Sequence, residues 1–307
     1  MFVINPDPFL LPSFLISPFN LEALKLHSLY KDDGFCDLYL NKRFGENNWL
    51  ITKNGREGIA LALNQTFKKN TNNKVSILTT TQNRYISSCV TSTIEFQASW
   101  NRSIEEECSA IFVNHEFGFP FKNMVELTDL EIPIIEDCCT TFFSQDELGK
   151  IGNYGKFSVY SFPKFFPVQI GGLLVGNEVG KMGLNSTLSA EEKSFLKSAL
   201  SHYFKEIDLN LSSRKTVYNY MSEVFAQIGF EPRIEKSDLV FPSAFLFKAT
   251  NNESIDWVKL KTFCWNHGIQ SSVFYGEDAF FIPCHQNLYK TDIDYFAFVI
   301  NSFKDFN

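Results

Sequence analysis

Residues 132–175 read IPIIEDCCTTFFSQDELGKIGNYGKFSVYSFPKFFPVQIGGLLV. The apolar run 132–135 has the length and composition of a buried strand, and Glu136 and Asp137 follow where such a strand ends, the usual ligand position in an open α/β sheet. Residues 157–162 form a second run of the same kind that leads directly into Pro163 and Lys164. Gly171 and Gly172 then turn the chain into a third apolar strand. A lysine flanked by five aromatic or proline neighbours has little water for its ammonium, so the expectation is a lowered pKa and a nucleophilic amine.

An acid at one strand end, a lysine at another and Ser161 three residues before that lysine are what a pyridoxal phosphate (PLP) site requires. The lysine bonds the cofactor, the carboxylate of Asp137 keeps the pyridine nitrogen protonated, and a serine hydroxyl helps to bind the phosphate. The ordered run VNHEFGFP (113–120), PIIEDCCTTF, GNYGKFSVYSFPK and IGGLLV resembles the DegT/DnrJ/EryC1/StrS family of PLP-dependent sugar aminotransferases. There the pattern is a glycine turn after a strand, an EDAAQ-like segment, G-D-x-G-x-F-S-F, the lysine and a double-glycine turn. The resemblance is good over about residues 50–180 and loose elsewhere.

The resemblance implies further site residues. The segment TKNGREGIALALNQTF (52–67) starts a helix capped at Asn54 and Gly55, and free amides at a helix N-terminus bind phosphate. The family has S-N-G-T here; this chain has Arg56 and Glu57 after Gly55, so backbone capture at 55–57 is expected while a hydroxyl contact is lost. Residues 75–79 read as a strand, with Tyr85 opening the next helix. Tyr85 is the candidate to stack on the electron-poor cofactor ring. Thr140 stands where the family has glutamine or histidine touching the cofactor's phenolic oxygen; its hydroxyl can donate with shorter reach. Counting forward from Gly152 makes Ser158 the phosphate-binding serine, and counting back from Lys164 makes it Ser161. Both stay open, because positions three apart on a strand face opposite ways. His115 sits at a turn and is read as an ordinary hydrogen-bonding residue.

Composition narrows the function classes. Lys and Arg number 28 against 35 Asp and Glu, a net charge of −7, and no basic cluster offers a nucleic-acid footprint. The 33 phenylalanines are not gathered into a run of about 20 apolar residues, so no spanning helix is expected. The N-terminal MFVINPDPFLLPSFLISPF is apolar, cut by four prolines and without a basic start, so it reads as a packing arm rather than a signal peptide. Seven cysteines without a CxxC pair point to free thiols in a reducing cytoplasm and to no metal site.

Residues 1–50 read as an irregular arm and 110–114 as a strand. After Asn177 the family's substrate-contacting G-x-N-x-R segment is missing. Instead Ser189 to Glu192 forms a capping box for a long helical region, resumed over 214–228. Strand 241–247, helix 255–265, strand 279–282 and helix 291–303 follow, resembling the family's small C-terminal domain.

The expected fold is α/β: PLP-dependent transferase fold type I, a mostly parallel sheet flanked by helices over 1–230, and a small α+β domain over 231–307. The resemblance implies transfer of an amino group, with glutamate as donor, to a keto-sugar nucleotide or related small carbonyl compound in surface polysaccharide or amino-sugar biosynthesis. It also implies a homodimer, with Lys164 near the interface. The rival readings are a pyridoxamine phosphate (PMP)-dependent sugar dehydratase, which usually lacks this lysine, and a catalytically silent sensor or scaffold, favoured by the short chain and the missing segment.

Overall fold

The computed structural model describes residues 14–67, 72–105, 107–251 and 255–306; the start of the arm, 1–13, lies outside them. The first part of the chain forms α1 (Leu21–His27), α2 (Phe35–Phe44), β1 (Trp49–Thr52), α3 (Gly55–Thr66), β2 (Lys74–Thr79), α4 (Ser88–Glu95), β3 (Ser99–Asn101), β4 (Ala110–Asn114), α5 (Met124–Thr128), β5 (Ile134–Asp137), β6 (Phe157–Ser161) and β7 (Gly172–Gly176). The rest forms α6 (Ala190–Lys205), α7 (Ile207–Gln227), β8 (Phe230–Pro232), β9 (Ala244–Ala249), α8 (Trp257–Asn266), β10 (Ser272–Val273), β11 (Phe280–Pro283) and α9 (Lys290–Phe306).

Seven strands make the larger sheet in the order β1-β7-β6-β5-β4-β2-β3. Strands β3, β2, β4, β5 and β6 run parallel, and β7 and β1 close the edge antiparallel. Alternate residues of β5 enter opposite cores: Ile134 joins the layer under α6, and Ile135 joins the layer under α3 and α4. Burial on both faces explains why the parallel strands read as continuous apolar runs. The second sheet is antiparallel, β10-β11-β9-β8, with α8 and α9 packed beside it.

The aromatic residues divide between two of these cores. Phe142, Phe162 and Phe166 meet Phe204 of α6 beneath the larger sheet, with Phe165 against Phe142, while Phe225, Phe230, Phe245, Phe247 and Phe280 fill the smaller one. Each such ring contributes about 1.5–3 kcal/mol on burial. The phenylalanines are therefore mostly core within one chain, which removes the surplus apolar surface behind the expectation of a dimer. The second core draws on α7 from Val217 onward, ahead of the expected boundary at 230.

Residues 1–50 are not irregular throughout. Among them α1 and α2 are helical, and α2 buries Cys36 and Leu40 against α6, with the Cys36 amide donating to Ser201 Oγ at 3.0 Å. Its two buried positions lie four apart among charged residues, so the stripe is too narrow to show in the sequence. Tyr85 precedes α4 rather than opening it.

Candidate functional site

The site lies at the carboxyl ends of the parallel strands, where Thr79, Asn114, Asp137 and Ser161 close β2, β4, β5 and β6 and line one cavity of about 450 Å³. Register brings Asn114 opposite Asp137. The Asp137 carboxylate is buried and held at both oxygens: Asn114 Nδ2 donates to Oδ2 at 2.8 Å and the Cys139 amide to Oδ1 at 3.1 Å. Burial pushes this carboxyl above the ordinary carboxylate range, against the opposing pull of the Cys139 hydrogen bonds and of the Lys164 ammonium. A cation set against it in the cavity would favour its ionised form.

Lys164 ends a 3-10 turn, Phe162–Lys164, directly after β6, and its side chain lines the cavity and is exposed. The desolvation expected from its neighbours is absent, because Phe162, Phe165 and Phe166 point into the core beneath the sheet. At the other side of the cavity, Asn54 caps α3 by accepting from the Glu57 amide at 3.0 Å. The amides of Gly55 and Arg56 make no hydrogen bond among the described residues, leaving two donors at the positive end of a helix dipole. Gly55 itself is fixed by space: a Cβ there would lie 2.6 Å from Cys139 Sγ and 3.8 Å from Ser161 Cβ.

Of the expected cofactor contacts, Ser158 and Glu57 do not reach the cavity, and Thr140 lines it with its hydroxyl already engaged. Ser158 is buried with its hydroxyl donating to Gly152 O at 2.9 Å on the far side of the strand, whereas Ser161 lines the cavity; strand alternation decides between them. The Thr140 hydroxyl donates to His115 O at 2.6 Å and accepts from the Gly118 amide at 3.1 Å, so its proton is committed to the 115–118 turn. The Glu57 amide is consumed by Asn54, and its carboxylate accepts from the Lys53 and Thr187 amides, each at 2.6 Å, and from Ser186 Oγ at 2.8 Å. Glu57 fastens the chain after β7 instead of meeting a ligand. Tyr85 does line the cavity, 47% exposed, with its ring 5.2 Å from that of Tyr275.

His115 is held at both nitrogens: Nδ1 accepts from the Phe121 amide at 3.0 Å, which leaves Nε2 to donate to Glu136 Oε2 at 3.3 Å. Glu136 also accepts from the amides of Gly152, Tyr154 and Gly155. His115, Glu136 and Cys138 come close enough to suggest a metal cluster, yet His115 and Glu136 already have their polar atoms engaged, and burial holds the Cys138 thiol protonated.

The opposite wall was not visible in the sequence. Phe117, Phe274, Phe281, Val273 and Tyr275 face the strand ends, with Phe117 meeting Phe274 and Phe281 at ring distances of 5.1 and 5.0 Å. Phe117 adopts φ 54°, a region that bulky side chains rarely occupy. Next to it Gly118 has φ 97°, and a Cβ there would meet Phe241 O at 2.7 Å. Glu116, buried beside this wall, accepts from the Thr81 amide and hydroxyl at 2.8 and 2.7 Å; burial raises its carboxyl above the ordinary range.

An open, mostly parallel sheet with an acid, a lysine, a serine and a helix N-terminus gathered at its strand ends is the arrangement of fold-type-I PLP-dependent transferases. Residues 90–182 match the model of the DegT/DnrJ/EryC1/StrS aminotransferase family. Solved structures agree in fold. An aminotransferase TlmJ from Streptoalloteichus hindustanus superposes with a TM-score of 0.72 at 11% identity, covering 94% of this chain and 98% of that one. A DegT DnrJ EryC1 StrS aminotransferase from Brucella abortus gives 0.69 at 12% identity, covering 92% and 94%. An E coli GDP-4-keto-6-deoxy-D-mannose-3-dehydratase with bound hydrated PLP gives 0.68 at 13% identity, covering 94% and 100%. No curated protein matches the chain in sequence. Among the described residues, no helix is long and apolar enough to cross a membrane.

Proposed function

We propose that this chain is a PLP-dependent aminotransferase that moves an amino group from an amino-acid donor such as glutamate to a keto-sugar nucleotide or a related small carbonyl compound. The observation that carries the reading is the meeting of Asp137 and Lys164 in one cavity with the open end of α3. When bound, PLP supplies a positively charged ring that accepts electrons from the substrate carbon.

The residues present fit that group. Asp137, raised by burial and held by Asn114 and Cys139, would lie against the ring nitrogen and keep its proton. Gly55 and Arg56 amides and the Ser161 hydroxyl would bind the phosphate. Lys164 would bond the cofactor and, once released, carry the proton to and from the substrate carbon as base and acid. Tyr85, exposed on the cavity wall, would cover the ring from the solvent side. The Cys139 thiol borders the site, and burial raises it well above its usual range, so it stays protonated and does not compete with the lysine as a nucleophile.

Among the rivals, the dehydratase reading is disfavoured by the presence of Lys164. We further propose a cytoplasmic homodimer: Phe96 is 92% exposed on a groove that also includes Arg56 and Cys89, beside the open side of the cavity.

The test is spectroscopic. The purified protein reconstituted with PLP should be yellow, lose the colour on adding a donor amino acid and regain it with a keto acceptor. A protein that PLP cannot colour would instead support a silent scaffold.

A further inference from the structure

Three consecutive carbonyls at the lysine turn are each held by a side chain from a remote part of the chain. Ser17 Oγ, on the N-terminal segment, donates to Pro163 O at 2.7 Å. Arg214 Nη2, on α7, donates to Lys164 O at 3.1 Å. Gln286 Nε2, just after β11, donates to Phe165 O at 2.8 Å. The last two are joined, since Arg214 Nε donates to Gln286 Oε1 at 2.8 Å.

Arg214 is 2% exposed and has no carboxylate partner among the described residues. Its remaining donor reaches Pro242 O at 3.3 Å and Cys284 O at 3.5 Å, and its guanidinium lies 4.9 Å from the Phe165 ring centroid. Burial brings it down to about 10, so it remains charged at neutral pH. A buried cation held by carbonyl dipoles is costly to keep, and losing its donors would add the separate cost of buried carbonyls left unpaired. The Ser17 segment is fastened in turn by the region next to Gln286: His285 Nε2 donates to Leu15 O at 3.1 Å and Asn287 Nδ2 to Pro18 O at 2.7 Å. Ile16, between these anchors, lines the cavity.

We propose that Ser17, Arg214 and Gln286 form a positioning clamp that sets the direction of Lys164 and couples it to docking of the N-terminal segment and of the smaller sheet. The clamp holds backbone carbonyls of the turn and not the Lys164 amine, so these are positioning residues and not catalytic ones. The proposal rests on Lys164 being the lysine that bonds PLP. It makes the lysine's geometry depend on three segments that lie far apart in sequence, whereas the turn alone fixes it through only the Phe165 and Phe166 amides donating to Phe162 O, both at 2.9 Å.

The experiment follows formation of the borohydride-reducible bond when PLP is added to the full-length apoprotein, in wild type and in Ser17→Ala, Ser17→Thr and Gln286→Met. Melting temperature and the kcat and KM of amino transfer are measured in parallel. Gln286→Met should slow bond formation about 10-fold and Ser17→Ala about 3-fold, because small misplacements of a reacting group are expensive in rate. The kcat should fall with unchanged KM and by more than any drop in melting temperature accounts for, and Ser17→Thr should restore the wild-type rate by returning the hydroxyl. Variants that bond PLP at the wild-type rate, that slow only in proportion to lost stability, or whose Ser17→Thr form stays slow would overturn the clamp while leaving Lys164 in its role. A wild-type protein with no reducible bond at Lys164 would remove both readings, and the two failures are thereby told apart.

Discussion

The two walls of the cavity differ in how they are built. The strand-end wall comes from residues 54–164, with Asn114, Asp137 and Ser161 closing neighbouring parallel strands. The facing wall is gathered from the 115–118 turn and from residues 243–281, with Ile16 at its edge. The first wall holds acid, lysine, hydroxyl and amides; the second is mostly aromatic and aliphatic. On the proposed function, reaction chemistry belongs to the wall whose backbone is fixed by sheet register, and substrate selection to the wall where two sheets face each other.

The largest effect that would sharpen this contrast is expected at Lys164. Lys164→Ala should lower amino transfer by at least about 10³-fold while changing stability by no more than about 0.5 kcal/mol, since the side chain is exposed. A steady-state assay beside thermal melting checks both. Asp137→Asn comes next: PLP should still bind, but transfer should fall about 10²–10³-fold because the ring proton is no longer held. The same substitution has a second signature in the apoprotein. Burial raises the Asp137 carboxyl, so the unfolded chain ionises first as pH rises, and the group favours the folded state only at acid pH. Asp137→Asn should therefore raise the melting temperature near neutral pH and leave it unchanged at about pH 3, below the ordinary carboxylate range. A loss of stability at neutral pH would break the assignment of an acid strained by burial.

On the facing wall, Phe281→Ala should raise KM for the amino acceptor about tenfold while the protein stays yellow, the loss typical of an apolar contact made equally in ground and transition states. A collapse of kcat at constant KM would erase the distinction between the two walls. Within the strand-end wall, Ser161→Ala should weaken PLP binding about tenfold, as expected for one lost bond to a charged group, and Ser158→Ala should leave it unaltered; fluorescence titration separates them. The last effect, at His285, is on stability and leaves the chemistry aside. Burial, and then the charge of Arg214, lowers its ring to about 3. The unfolded chain thus takes up a proton from about pH 6.5 downward and the folded chain does not, so His285 stabilises the fold above that value and the contribution is lost as pH falls toward 3. His285→Gln should flatten that part of the urea-midpoint profile.

The same contrast explains what could be read from the sequence. Asp137 and Lys164 were legible because each follows an apolar run that both cores require, and their order matches a family pattern. The serine was ambiguous for a local reason: counting cannot show on which side of β6 a residue faces, and the Gly152 carbonyl that takes the Ser158 proton is recognised only after the loop has folded. Glu57 lies off the cavity and the Thr140 hydroxyl, though on its wall, is committed, because both are captured by backbone groups, at Lys53 and Thr187 for one and at His115 and Gly118 for the other, whose proximity no spacing rule reveals. Tyr275 and Phe281 lie more than a hundred residues from Lys164 in sequence, and nothing around them marks a ligand. The helix α2 was hidden by the charges that surround Cys36 and Leu40.

The central claim is that the chemistry resides at the strand ends, on Lys164. Borohydride reduction of the PLP-loaded protein followed by peptide mass mapping tests it most directly. A single pyridoxyl-modified peptide containing Lys164, absent from Lys164→Ala, is the predicted result; modification at another lysine, or none in a correctly folded protein, would contradict it.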